Sequence, residues 1–96
     1  MAVKLLPYDS AEMLETEEDI LTYLEFAMEG NDPKHIANAL GVVARSKGMT
    51  EIARKTGLGR QALYSALSMD GNPTLETLMS VLSALGFALS VQRKAA

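Results

Sequence analysis

Apolar side chains in this chain recur mostly at three- and four-residue spacing, the period of amphipathic helices. From Glu17 to Glu29, Ile20, Leu21, Leu24, Ala27 and Met28 form one stripe. Thr16 is placed to cap that helix, and Glu17, Glu18 and Asp19 lie in its first turn, where negative charge suits the helix dipole. Tyr23 and Phe26 fall off the stripe; they either flank a wide buried face, the commoner case, or mark a contact surface. Gly30-Asn31 ends the helix. Asp32-Pro33 opens the next, an N-cap followed by proline at the first helical position. Ile36, Ala37, Leu40, Val43 and Ala44 line one side of it, and Gly48 closes it. Gly41 inside this helix costs about 1 kcal/mol relative to alanine, a cost that close packing against a neighbouring helix would explain.

The stretch from Met49 to Leu67 reads as two short helices around a tight turn at Thr56-Gly57-Leu58. Thr50 is the expected N-cap of the first. Ile52 and Ala53 give it an inward face. Gly57 stands where the chain must reverse, and glycine enters the left-handed region without steric cost. Leu58 is the apolar plug of the turn. In the second helix Ala62, Leu63, Ala66 and Leu67 can pack inward, leaving Arg60, Gln61, Tyr64 and Ser65 exposed. This is the pattern of a helix-turn-helix with a polar face sized for a DNA groove.

Ser68 to Pro73 is rich in turn formers. Thr74, or Asn72 with Pro73 behind it, caps a last helix in which Leu75, Leu78, Met79, Val81, Leu82 and Leu85 are apolar. That helix, ended by Gly86, is expected to be the spine of the core. From Phe87 to Gln92 the period changes to two, with Phe87, Leu89 and Val91 alternating with small or polar residues. This predicts a short strand over 87–92, which must pair with the N-terminal arm, with a second copy or with another sheet. Residues 1–15 lack clean periodicity and read as an arm, with residues 16–96 as a single helical domain.

Composition narrows the possibilities. The 96 residues allow one domain at most, with a core of Leu, Ala, Ile, Val and Met because only five residues are aromatic. Without cysteine there are no disulfides or thiolate metal sites, and no signal-like stretch opens the chain, which together fit a cytoplasmic protein. The uncharged run from Thr77 to Gln92 is shorter than the roughly 20 apolar residues a membrane helix needs. His35, the single histidine, has no second ligand nearby and reads as a solvated side chain. No glycine-rich phosphate loop or pocketed acid pair suggests an enzyme, and no cofactor or metal is expected.

The net charge of −3 hides a polarity: residues 1–32 hold nine acids and one base, residues 33–96 eight bases and three acids. The basic part contains the helix pair that would meet phosphates. The acidic part is either an ordinary solvated surface or the counterpart of a basic protein.

GMTEIARKTGLGRQALYSALS, followed by GNPTLETLMSVLSALG and FALSV, resembles the lambda-repressor-like (XRE, Cro/CI-type) helix-turn-helix of addiction-module antidote proteins, the HigA-like antitoxins. The upstream YDSAEMLETEEDILTYLEFAMEGNDPKHIANALGVVARSKG is similar to the same family, so the resemblance spans nearly the whole chain. It implies an all-α, five-helix domain carrying an N-terminal arm and a short C-terminal β-strand. It also implies a type II antitoxin that silences a RelE/ParE-like ribonuclease toxin and represses its own operon by binding double-stranded operator DNA. The implied base readers are Arg60, Gln61, Tyr64 and Ser65, since arginine can bridge guanine and glutamine can pair with adenine. Thr50 and Arg54 or Lys55 are the implied phosphate contacts. Tyr8, Glu17, Glu18, Tyr23 and Phe26 are assigned to the toxin-facing surface, and Phe87, Leu89 and Val91 to a homodimer contact. Gly59 stands where relatives usually carry a serine N-cap, and Ser65 where they often carry a base; both weaken the expected grip on DNA. Two alternatives remain: a stand-alone repressor without a toxin, and an interaction module that no longer binds DNA.

Overall fold

The computed structural model describes residues 14–94. The arm expected over residues 1–15, with Tyr8, lies almost wholly outside the described residues. Five helices follow in order: α1 (Glu17–Glu29), α2 (Pro33–Lys47), α3 (Met49–Thr56), α4 (Arg60–Ala66) and α5 (Leu75–Ala84). No strand occurs among the described residues.

Helix α1 begins where its cap chemistry dictates. The Thr16 hydroxyl accepts from the Asp19 amide at 3.0 Å, and the Asp19 carboxylate accepts from the Thr16 amide at 3.1 Å, closing a capping box. The Thr16 amide and hydroxyl, with the Glu15 amide, hold the Asp19 carboxyl below its ordinary range by favouring the charged form. Ile20 and Leu24 anchor α1 to the core. Helix α2 starts on Asp32, whose carboxylate accepts from the Lys34 amide at 3.0 Å. Just before α1, the Leu14 carbonyl accepts from the Ser46 hydroxyl at 3.3 Å, tying the chain's approach to the end of α2.

The spine of the core is α2, not α5. Ala37, Ala39, Leu40, Gly41, Val42, Val43 and Ala44 are all buried. Within α5 only Val81 and Leu82 are buried, joined by Leu85 just beyond it, while Leu75 is 66% exposed and Met79 51%. The reason is neighbourhood: α2 packs on α1, α3 and α4, whereas α5 packs chiefly on α3, so Leu75 and Met79 are left facing outward. Fully burying each of Ile20, Leu40, Ile52, Leu63 and Leu67 stabilises the fold by roughly 1.5–3 kcal/mol. Gly41 brings α2 against the end of α4; a Cβ there would lie 2.1 Å from the Leu67 carbonyl oxygen. The backbones meet where a side chain would have stood.

Three further expectations change. Thr50 is not the cap of α3. Gly48 is the N-cap, with φ +107°, and its carbonyl accepts the Glu51 and Ile52 amides at 3.1 Å, so the helix starts two residues earlier than a Thr50 cap would place it and Thr50 lies inside it, exposed. Ala62 faces solvent rather than the core. The strand expected over 87–92 is absent. Gly86, at φ +92°, instead closes α5 in a Schellman arrangement: its amide donates to the Ser83 carbonyl at 3.0 Å and the Phe87 amide to the Leu82 carbonyl at 2.8 Å. Phe87 is thereby turned onto its own core, while Leu89 and Val91 are exposed with no neighbouring strand among the described residues to pair with them. No helix among the described residues is long and apolar enough to cross a membrane.

Candidate nucleic-acid interface

Helices α3 and α4 are joined by a turn that the chain holds with its own hydroxyl. The Gly57 amide donates to the Ala53 carbonyl at 2.9 Å, and Gly57 adopts the left-handed conformation (φ +78°, ψ +6°). The Thr56 hydroxyl donates to the Ile52 carbonyl at 2.9 Å and accepts from the Leu58 amide at 3.2 Å. One side chain thus ends α3 and fixes the path of the turn. Leu58 packs half-buried on the core. Met49 and Ile52 clamp α3 beneath, and Leu63, with Leu67 just past the helix, clamps α4.

This support leaves Arg60, Gln61, Tyr64 and Ser65 exposed on α4. Arg60 and Tyr64 are one helical turn apart, as are Gln61 and Ser65, so the four form a single patch. The Arg60 guanidinium lies 5.9 Å from the centre of the Tyr64 ring, a cation–π distance that limits where the arginine points. Gly59 precedes the helix in extended conformation (φ −72°, ψ +148°) and supplies no side-chain acceptor to its first turn.

The residues expected on α3 divide. Thr50, in the first turn of α3, and Lys55, in its last, are both exposed. Arg54 is exposed too, but its guanidinium is held by the Glu51 carboxylate, with Nε donating to Oε1 at 3.3 Å and a second, shorter contact through the terminal nitrogen. That hydrogen bond holds the Glu51 carboxyl low and raises the Arg54 guanidinium. A phosphate would have to draw Arg54 from a carboxylate already facing it. The i, i+3 spacing of Glu51 and Arg54 was the signal for this pair.

The other assigned residues lie elsewhere. Glu17 and Glu18 are exposed in the first turn of α1. Tyr23 packs half-buried against the core, whereas Phe26, three residues on, is 76% exposed. Phe26 lines an open, mostly apolar groove with Tyr23 and Ala27 on α1, Asn38 and Ala39 on α2, and Met69 from the loop after α4. Met69 was not foreseen; it lies among turn formers and carries no periodicity. Among the described residues no ionisable side chain is buried and no group of three His, Asp or Glu residues could hold a metal. The described surface carries an arginine–tyrosine patch on α4 and an aromatic, acid-flanked groove beside α1.

A family model described as probable addiction module antidote protein matches residues 4–93 of the chain. An uncharacterized protein of Haemophilus influenzae is 42% identical over 93 residues, which cover 97% of this chain and 96% of the relative. No solved structure matches.

Proposed function

Since the chain belongs to the family of probable addiction module antidote proteins, a family whose members imply a toxin partner, we propose that it is the antitoxin of a type II toxin–antitoxin module. In this reading it neutralises a RelE/ParE-like ribonuclease in the cytoplasm and represses its own operon through a lambda-repressor-like helix-turn-helix made of α3 and α4. It works by binding, not by catalysis.

The observation that carries the DNA half is the α4 patch. Arg60, Gln61, Tyr64 and Ser65 share one exposed face, and Arg60 is steered by Tyr64. Entering a major groove with this face, Arg60 would bridge guanine O6 and N7, and Gln61 would pair with adenine. Thr50 and Lys55 would meet phosphates, with Arg54 joining them on leaving Glu51. A chain with an acidic balance binds DNA better as a pair, since two recognition helices double the phosphate contacts. Leu89 and Val91, exposed at the end of the chain, are the residues we assign to that homodimer; Phe87 is half-buried against its own core and contributes through its fixed position.

The test is a pair of measurements on the full chain. Co-expression with the product of the adjacent gene should restore growth that the product alone arrests, and the purified protein should retard its own promoter DNA at low salt. Growth arrest unrelieved by the protein, together with unshifted promoter DNA, would defeat the proposal. One observation favours a second reading, an interaction module without DNA binding: the α4 start lacks a capping side chain and Arg54 is already engaged. Toxin rescue with no DNA shift at any salt concentration would select it.

A further inference from the structure

The groove between α1, α2 and the loop after α4 combines two features that are separate elsewhere on the molecule. The first is apolar. Phe26 is 76% exposed on α1, and Met69, 43% exposed, reaches the same groove from a different element. Two large apolar side chains brought together from distant parts of the chain form a patch rather than scattered exposures.

The second feature is charge of one sign. Glu29 lines the groove, Glu25 precedes Phe26, and Asp70 follows Met69, all three exposed. Residues 14–32 contain seven acids and no lysine or arginine. On the α2 side, His35 lines the groove and faces Asp32 at 4.0 Å, and Lys34 is the nearest full cation in sequence. The apolar groove between α3 and α5 offers a contrast. It has Leu75 and Met79 exposed, but Lys55 and Glu76 both line it, so its charge favours neither sign.

We infer that the Phe26–Met69 groove is the docking site for the toxin, and that it takes a cationic segment of the toxin with one bulky apolar side chain as anchor. The anchor packs between Phe26 and Met69. Flanking lysines or arginines face Glu25, Glu29 and Asp70, which speeds encounter and fixes orientation more than it adds affinity. This inference rests on the toxin-neutralising reading. It adds which face is used and what the partner segment must carry.

The probe is the purified product of the adjacent gene, titrated against the full-length protein by calorimetry and against isotope-labelled protein by NMR. The double variant Phe26→Ser/Met69→Ser removes exposed side chains only, so it should fold as wild type by circular dichroism. Its affinity for the toxin should fall by about tenfold or more, the loss expected at the centre of an interface. Glu25→Lys/Glu29→Lys should weaken binding at low salt and flatten its salt dependence. Leu75→Ser, an equally exposed truncation on the other groove, should stay within about twofold of wild type. NMR shifts in the wild type should centre on Phe26, Asn38 and Met69. Wild-type protein that fails to bind the toxin overturns the toxin-neutralising reading and this inference with it. Wild-type binding that survives Phe26→Ser/Met69→Ser, or falls equally with Leu75→Ser, overturns the inference alone.

Discussion

Helices α1 and α4 hold their places in the same way and present opposite chemistry. Each is pinned by very few side chains, Ile20 and Leu24 in one and Leu63 in the other, and each leaves most of its surface in water. Helix α1 closes its first turn with its own capping box and carries only acids among its charged residues. Helix α4 starts on a glycine that offers no acceptor, and its single charged residue is Arg60. Charge is therefore divided by element rather than spread over the surface. The two recognition tasks proposed for these elements could then be altered one at a time, provided the helix between them, α2, is left intact.

The strongest way to break this independence is to remove what both faces share. Leu63→Ala should cost about 2–5 kcal/mol, because the residue is buried beneath α4 and in the common core. Thermal melting should show it, and DNA and toxin binding should fall together at temperatures near the new midpoint. Gly41→Ala comes next. The new methyl must displace the Leu67 backbone, an overpacking cost of about 1–3 kcal/mol readable in urea denaturation. Unchanged stability would mean that α2 and α4 are not in backbone contact.

The remaining substitutions should separate the two faces. Arg60→Ala is expected to reduce operator affinity by about 1–3 kcal/mol in gel-shift titrations while melting and toxin binding stay unchanged. Thr16→Ala removes the α1 cap and should lower stability by about 1 kcal/mol, with no effect on promoter affinity beyond the fraction unfolded. The smallest effect is on pH dependence. Because folding lowers the Asp19 pKa, the carboxylate stabilises the native state above its ordinary value of 3.8, and that contribution disappears as pH falls through the lower folded value. Acid unfolding of Asp19→Asn should accordingly be less steep over that interval when compared with wild type by circular dichroism.

What could be read from residues alone followed local chemistry. The start of α1 at Glu17, the Asp32-Pro33 opening of α2 and the left-handed Gly57 are each fixed by neighbours within four positions, and all three were legible. The exposure of Arg60, Gln61, Tyr64 and Ser65 was legible as well from helical period, whereas Ala62, expected inward on the same grounds, faces solvent because no helix among the described residues covers that side of α4. The burial of α5 was not legible. Its composition is more apolar than that of α2, but burial depends on how many helices surround a helix, and no local pattern records that. The same holds for residues 87–92: alternation describes a strand's side chains, but a strand exists only beside another, and Gly86 spends the first of these residues on closing α5 instead. Phe26 and Met69 meet only because α1 and the loop after α4 flank the same part of α2.

The clamp at Gly86 and Phe87 also sets a length scale. The folded body is complete at Phe87, and residues 88–94 lead away from it exposed along their whole course. At 3.3–3.6 Å per residue those seven positions reach about 25 Å at most. A fluorophore joined after Lys94 is held within that radius of the end of α5, and a homodimer sealed by Leu89 and Val91 would shorten that reach to what the pairing leaves free.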